Sequence, residues 1–384
     1  MIRIKSEFIR DFFLLLIIIY FAQGALYPQG SLISQSSLFA ILIISIIYFV
    51  KTLFQQNNKN LFYKTVIVFL LLNVFSAIFT ADFARPLSIG QLKNIIFVSL
   101  SFFPIYYFAQ RGIITEKHLM RFFLVMLPIA IMEFYSNQAE IMLFRGNKDV
   151  NLVNNVAYVF VYLIPYVFFF KQKKLASSFL MIIILFFIIQ GAKRGALIAG
   201  VIGAIFFVYY QLKTIEKKNR VKGYFIAIVS VIALCYLFYN FYQSNEFLIS
   251  RMEMIGEEGG SSGRNTIYAN IFNSWLGSDS FFNLLFGFGF ASSVVLSRTG
   301  NFAHNDWLEL LSSLGLLGVI VYGVLFYAAL KYAFNQKLKK DIKILMLVVI
   351  SIWFFTSIVS INYASPNAVF QSMLLAYIIG TKTN

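Results

Sequence analysis

Charge is scarce in this chain. Only 12% of its 384 residues are Asp, Glu, Lys or Arg, about half of what a soluble globular domain carries. Cysteine occurs once, as Cys235 inside an apolar run, so no internal disulfide can form and cysteine usage says nothing about redox compartment. Histidine occurs twice, as His118 and His304, too few for a histidine-based metal centre. The carboxylates of the longest polar stretch, Glu253, Glu257, Glu258 and Asp279, form no Asp-x-Asp pair for a divalent cation. No metal and no cofactor are therefore expected. The glycine-rich stretch 256–264 lacks a Gly-Lys-Ser/Thr ending, which excludes a phosphate-binding P-loop. Neither a Ser-His-Asp nor a Cys-His arrangement is identifiable. No internal repeat is evident, which disfavours transporters built from inverted repeats.

Apolar sequence fills the chain instead. Hydrophobic residues make up 59%, and runs long enough to cross the hydrocarbon core as helices recur along the whole length. The expected fold class is all-α: a polytopic transmembrane bundle of about twelve spans, forming a single integral membrane domain over 1–384. The spans fall near 11–27, 31–50, 64–80, 88–109, 119–135, 152–170, 175–190, 195–212, 223–242, 305–330, 342–361 and 365–381. A large polar loop, 243–304, separates the ninth from the tenth. Arg3, Lys5 and Arg10 precede the first run as they would in a signal peptide. However, Asp11 interrupts the approach and no small-x-small cleavage site follows, so the run is expected to stay as an anchor.

The net charge of +16 does not point to nucleic acid, because the basic residues sit in short turns between apolar runs. With the N-terminus inside, 23 of the 32 lysines and arginines fall in cytoplasmic segments, as the positive-inside rule requires. Both termini are then cytoplasmic and the 243–304 loop faces outward.

Nine basic residues break that rule: Arg85, Lys93, Arg145, Lys148, Lys193, Arg194, Arg251, Arg264 and Arg298. Lys193 and Arg194 stand together in the tight outer turn Gln190-Gly191-Ala192-Lys193-Arg194-Gly195. A cation at mid-membrane costs ~2.5–3.5 kcal/mol on insertion scales and less near an interface, and an outer pair gains nothing from topology. Snorkelling to headgroups is one explanation. An anion site is the other, since the guanidinium fork suits phosphate oxygens, the glycines leave room for backbone N–H groups, and the next helix begins here with its positive end. Lys93 with Arg85, and Arg145 ahead of Asn154-Asn155, are further outer cations suited to the same anion. In the long loop, 267–275 reads as a short amphipathic helix. The aromatic stretch 281–290 is too short to span and is expected to dip into the interface.

His304 precedes Asn305-Asp306-Trp307-Leu308-Glu309. Asp306 and Glu309 have the spacing of a capping box, which starts the tenth helix there. His304 lies just outside its first turn, where the dipole disfavours imidazolium. A neutral imidazole can accept a proton as a general base.

Taken in order, Gly191-Ala192-Lys193-Arg194-Gly195-Ala196, Ser262-Gly263-Arg264, Leu285-Phe286-Gly287-Phe288-Gly289 and Ala303-His304-Asn305-Asp306-Trp307-Leu308-Glu309 with Gly315-Leu316-Leu317-Gly318 resemble the O-antigen ligase/polymerase superfamily of membrane glycosyltransferases. The likeness is to Wzy-type polymerases and WaaL-type ligases, close over 190–330 and topological elsewhere. It implies a metal-independent, inverting transferase acting on polyprenyl-diphosphate-linked sugars at the outer face of the bacterial inner membrane. His304 would activate the acceptor hydroxyl, and Arg194 and Arg264 would bind the donor diphosphate. Arg145 resembles an arginine of the preceding outer loop. A proline before Gly287 is missing, and Trp307 stands where tyrosine is frequent. The expected partners are lipid-linked glycan donor and acceptor and the membrane lipids, with a chain-length regulator and a flippase beside them and no nucleic acid. A polymerase of surface glycan is the leading expectation. A ligase to a lipid core is the alternative within the family, and a lipid-linked glycan flippase the alternative outside it. A transporter would favour midplane charges over outer ones.

Overall fold

The computed structural model describes residues 2–55, 60–82, 86–144, 153–213, 263–335 and 338–381, with scattered positions from 221 to 243. These residues are almost wholly helical and form no strand. The first five helices are α1 (Ile2–Phe21), α2 (Leu32–Leu53), α3 (Leu61–Thr80), α4 (Pro86–Gln110) and α5 (Glu116–Phe144). Next come α6 (Ala157–Leu163), continued by a 3-10 turn over Ile164–Phe170, then α7 (Lys174–Gln190) and α8 (Arg194–Lys213). The expected span at 223–242 falls largely outside the described residues, as does the 244–262 part of the long loop. Then follow three short helices, α9 (Arg264–Leu276), α10 (Phe281–Phe286) and α11 (Ser293–Leu296). The chain closes with α12 (Asp306–Ala333), α13 (Lys340–Val359) and α14 (Val369–Gly380), the last entered through a 3-10 turn at Pro366–Ala368.

Among the described residues, seven helices are long and apolar enough to cross a membrane: α2, α3, α4, α5, α8, α12 and α13. Ala157–Phe170, Lys174–Gln190 and Pro366–Gly380 are shorter apolar stretches. The chain is thus a multi-pass membrane protein. The sixth expected span does not run as one α-helix. It tightens into 3-10 geometry from Ile164, where Pro165 removes a backbone donor and crowds the preceding turn.

Aromatic residues dominate the interior. The rings of Trp353 and Phe326 stack at 3.9 Å between α13 and α12, and those of Phe160 and Phe187 at 4.9 Å between α6 and α7. On α2 the apolar Ile43, Ile46, Ile47 and Val50 face outward, as a lipid-contacting surface would. The turns alternate between two ends of the bundle. At one end Lys171 bonds to both Glu116 and Asp341, tying the starts of α5, α7 and α13. The other end, called here the loop face, carries residues 263–305.

At the loop face α12 is broken. Gly315 has φ 60 and ψ −155 inside the helix, and the break leaves room for a backbone crossing. A Cβ on Gly315 would lie 2.5 Å from the carbonyl carbon of Leu285, and one on Gly287 would lie 2.6 Å from the Leu314 nitrogen. Through this gap the Phe288 N–H donates to the Ser312 carbonyl at 2.7 Å. The Phe290 N–H then donates to Thr80 Oγ1 at the end of α3. Irregular backbone within a membrane bundle persists only where protein partners satisfy it, and here α12 and α3 do so. The amphipathic helix expected at 267–275 is present as α9. Phe281, Phe282 and Phe286 of α10 are exposed.

Candidate functional site

Histidine at position 304 has φ 51, the left-handed region that non-glycine residues seldom occupy. Its neighbours hold it there. The Ala303 N–H donates to Glu309 Oε1 at 2.5 Å, while the other carboxylate oxygen accepts from Ser293 Oγ at 2.5 Å. Glu309 is wholly buried, and it clamps the residue before His304 onto the first turn of α12. The backbone after His304 is fixed as firmly. Asn305 is the N-cap of α12, its Oδ1 accepting from the N–H groups of Trp307 and Leu308. Its Nδ2 donates to the Ile358 carbonyl at 3.1 Å.

This arrangement corrects the capping-box expectation. The helix starts at Asp306 as expected, but Asn305 caps it, and short polar side chains such as asparagine are preferred there. Asp306 turns inward. Its carboxylate accepts from Tyr322 Oη at 2.5 Å and from the N–H groups of Asn362 and Tyr363. Trp353 Nε1 donates to Tyr322 Oη at 2.8 Å. A buried carboxylate requires such partners, and these tie the start of α12 to the segment between α13 and α14.

Arg264 opens α9, and its guanidinium donates to the Val359 carbonyl at 2.9 Å. Tyr268, one turn later, points its hydroxyl at the His304 carbonyl 3.5 Å away. Arg264 and Asn305, the residue after His304, are therefore both anchored on the terminal carbonyls of α13. Lys193 and Arg194 stand in the α7–α8 turn, and the Lys193 charge is felt at His304. Lys193 Nζ donates to Asn155 Oδ1 at 2.8 Å. Arg194 is the first residue of α8 and half-buried. Gly195 presses α8 onto the same end of α13, because a Cβ there would lie 2.3 Å from Tyr158 Oη and 2.7 Å from a Val359 methyl carbon. The glycines were expected to let an anion reach backbone N–H groups. Instead Gly191 and Gly195 permit close helix packing, and the Gly191 N–H is already taken by the Phe187 carbonyl.

The electrostatics follow from this crowding. Burial, together with the positive charges of Arg264 and Lys193, pushes the His304 imidazole down to about 4. It is neutral at pH 7, as expected, but neighbouring side chains and desolvation dominate rather than the helix dipole. The imidazole nonetheless remains open to the surface. Burial pushes the Tyr268 hydroxyl up, against the opposing pull of Arg264.

Among the described residues no three His, Cys, Asp or Glu side chains converge. The charges that act on His304 are those of Arg264 and Lys193. The other expected cations divide. Lys93 is exposed on α4, two residues past Gln91, whose amide donates to Tyr363 Oη at 3.1 Å. It therefore lies near the opposite side of its helix from that contact. No contact places it in the cluster. Arg85 and Arg145 lie outside the described residues. Tyr158, Tyr268 and the carbonyls of Ile358 and Val359 were not anticipated, and Glu309, expected in a capping box, clamps Ala303 and Ser293 instead. Only Asn305, a good N-cap residue ahead of an apolar run, carried a local signal.

Residues 179–323 match the family model described as O-antigen ligase. Over that segment the chain is similar to this family. No curated protein matches it at a significant level. The segment matched to the O-antigen ligase model holds Lys193, Arg194, Arg264 and His304. Their sockets on α6 and α13 lie outside it.

Proposed function

We propose that this protein is a metal-independent, inverting glycosyltransferase that polymerises polyprenyl-diphosphate-linked oligosaccharide repeat units of a surface polysaccharide such as O-antigen or capsule. The observation carrying this reading is that Arg264 and Lys193 act on a neutral, accessible imidazole at one end of a membrane bundle, with Arg194 next to Lys193 in the chain. The loop face is the outer, periplasmic face of the bacterial inner membrane, and both termini are cytoplasmic.

In this mechanism the acceptor sugar hydroxyl gives its proton to a His304 ring nitrogen. Its oxygen attacks the anomeric carbon of the donor, and the bond from that carbon to the diphosphate oxygen breaks with inversion. The leaving polyprenyl diphosphate takes the electron pair, and Arg194 and Arg264 hold its growing negative charge. Fixed cations aimed at developing charge are among the largest contributors to catalysis. Arg145, Arg85 and Lys93 are proposed to extend the binding surface toward donor phosphate or sugar. The exposed aromatic rings of α10 suit the interface and sugar faces. The test is purified protein in lipid with polyprenyl-diphosphate-linked repeat units. Lengthening of the glycan on its carrier supports the proposal, and no consumption of donor by wild-type protein refutes it.

The family description itself favours a second reading, a ligase that delivers finished glycan to a lipid core. The donor site is common to both, so the acceptor decides. In a strain lacking a polymerase, single repeat units reach the final carrier. In a strain lacking a ligase, polymer accumulates on the polyprenyl carrier and the core stays bare.

A further inference from the structure

The spanning helices that run toward the Lys171 end of the bundle finish alike. Near its end each carries a tyrosine, followed three or four residues later by a cation that lies over the ring. On α8 this is Lys213 over Tyr209, and on α12 Lys331 over Tyr327. Such residues are one helical turn apart and share a face. A single pair needs no ligand, because a cation snorkelling to headgroups lays its stem along the apolar surface in the same way. On α2 and α4 the pairs are not single. The rings of Tyr48 and Tyr107 meet across the two helices at 4.8 Å. Lys51 Nζ lies 4.9 Å from the first ring centre and Arg111 Cζ 4.6 Å from the second.

The backbone fixes both cations. α4 stops at a left-handed Gly112, φ 64, where the Gly112 and Ile113 N–H groups donate to the Ala109 and Phe108 carbonyls. This glycine-ended cap leaves Arg111 at the very end of the helix. Lys51 lies in the last turn of α2, on the stripe that carries the exposed Ile43 and Ile47 at four-residue spacing. Both cations are exposed. A helix C-terminus carries about half a negative charge, so two full side-chain charges outweigh the two helix ends. Among the described residues no carboxylate pairs with either cation: Asp11 lies on Arg10, and Glu116 and Asp341 lie on Lys171. The connections that leave α2 and α4, residues 55–60 and 111–115, contain no Asp or Glu.

We propose that Lys51 and Arg111, mounted on the Tyr48–Tyr107 ring pair, form a docking site for an anionic phospholipid of the leaflet at this end, with its phosphate on the two cations and an acyl chain along Ile43 and Ile47. Tyrosine rings suit the headgroup level. A guanidinium stacked on a ring face keeps its edge N–H groups free for phosphate oxygens, and the ammonium adds a point charge beside it. A zwitterionic lipid fits less well, because its own ammonium repels the pair. The bound lipid bridges two helices. Of the seven spanning helices α2 is the least buried, so a lipid held jointly with Arg111 fastens it to α4. The site lies at the opposite end of the bundle from His304 and does not depend on the reaction proposed there.

Native mass spectrometry of the full chain in detergent, titrated with phosphatidylglycerol, reads the affinity for the first lipid bound. A basic residue near a membrane surface is worth about fivefold in affinity for anionic lipid. Lys51→Gln and Arg111→Gln should each weaken the first binding step by about that factor, and both positions are exposed enough for the variants to fold. Lys117→Gln removes an exposed charge at the same end of the bundle and should leave the step unchanged. Tyr107→Leu keeps both charges and should also weaken binding, because Arg111 loses the ring it rests on. An equal loss in Lys117→Gln would show diffuse attraction to a basic surface and overturn the site. So would phosphatidylcholine binding as tightly as phosphatidylglycerol, or unchanged affinity in both the Lys51 and Arg111 variants. Displacement of the lipid by inorganic phosphate at equal concentration would show a site for free phosphate and overturn the lipid assignment.

Discussion

At the scale of single residues, His304 is an imidazole that burial, Arg264 and Lys193 keep neutral at pH 7. His304→Ala should lower transfer by about 10²–10⁴, the usual range for loss of a general base, with protein level and donor binding nearly intact. Near-normal product from this variant would leave His304 a purely structural role. The pH profile gives an independent check. Since kcat/KM for the donor reports the free enzyme, its acid limb should fall near pH 4. Activity drops there as pH decreases, because the imidazole then takes up the proton it must receive from the acceptor. Arg264→Lys should also be damaging. A lysine cannot keep one donor on the Val359 carbonyl while presenting a planar fork to a phosphate. Full activity in both Arg264→Lys and Arg194→Lys would make them generic charges.

At the scale of elements, the loop face is organised by one interruption. The Gly315 break in α12 accepts the backbone of residues 285–288, and the same helix carries His304 at its entrance. Gly315→Ala would place a Cβ into the Leu285 carbonyl group at a positive φ. Overpacking of this kind costs about 1–3 kcal/mol or more. Thermal unfolding in detergent should show a lowered Tm, with Gly323→Ala, which has open space around it, as the near-neutral control. Equal Tm values for the two would mean that the interlock contributes little. This break was not legible in the sequence, because Gly315-Leu316-Leu317-Gly318 sits in an unbroken apolar run with a helical look. The helices themselves were legible, since long apolar stretches have few other outcomes. The starts of α12 and α8 were found within a residue or so from Asp306 and Arg194. What could not be read was non-local: Asp306 turning inward to Asn362, Glu309 reaching back to Ala303, and main-chain carbonyls of α13 serving as sockets. Carbonyls have no side-chain signature, and a buried carboxylate looks like a cap until its partners are known.

At the scale of the whole molecule, orientation and assembly can be tested directly. The charge distribution expects α9 on the outer side. Ala269→Cys in a Cys235→Ser background should react with a membrane-impermeant thiol reagent added from outside. Labelling only after the membrane is opened would reverse the orientation and remove the site from its substrate. The two ends of the bundle differ in construction. One is tied by the Lys171 bridge to Glu116 and Asp341, and the other by interlocked backbone and capped carbonyls. The second has a practical consequence for anyone recombining this chain with similar ones. His304 and the cations proposed to act with it lie within 179–323, but the surfaces that hold them in place lie on Tyr158, Ile358, Val359 and Asn362. A chimaera cut at the borders of the matched segment would transplant reactive groups without their mounts. Exchangeable units here are spatial rather than sequential, and a working graft has to carry the end of α13 with it.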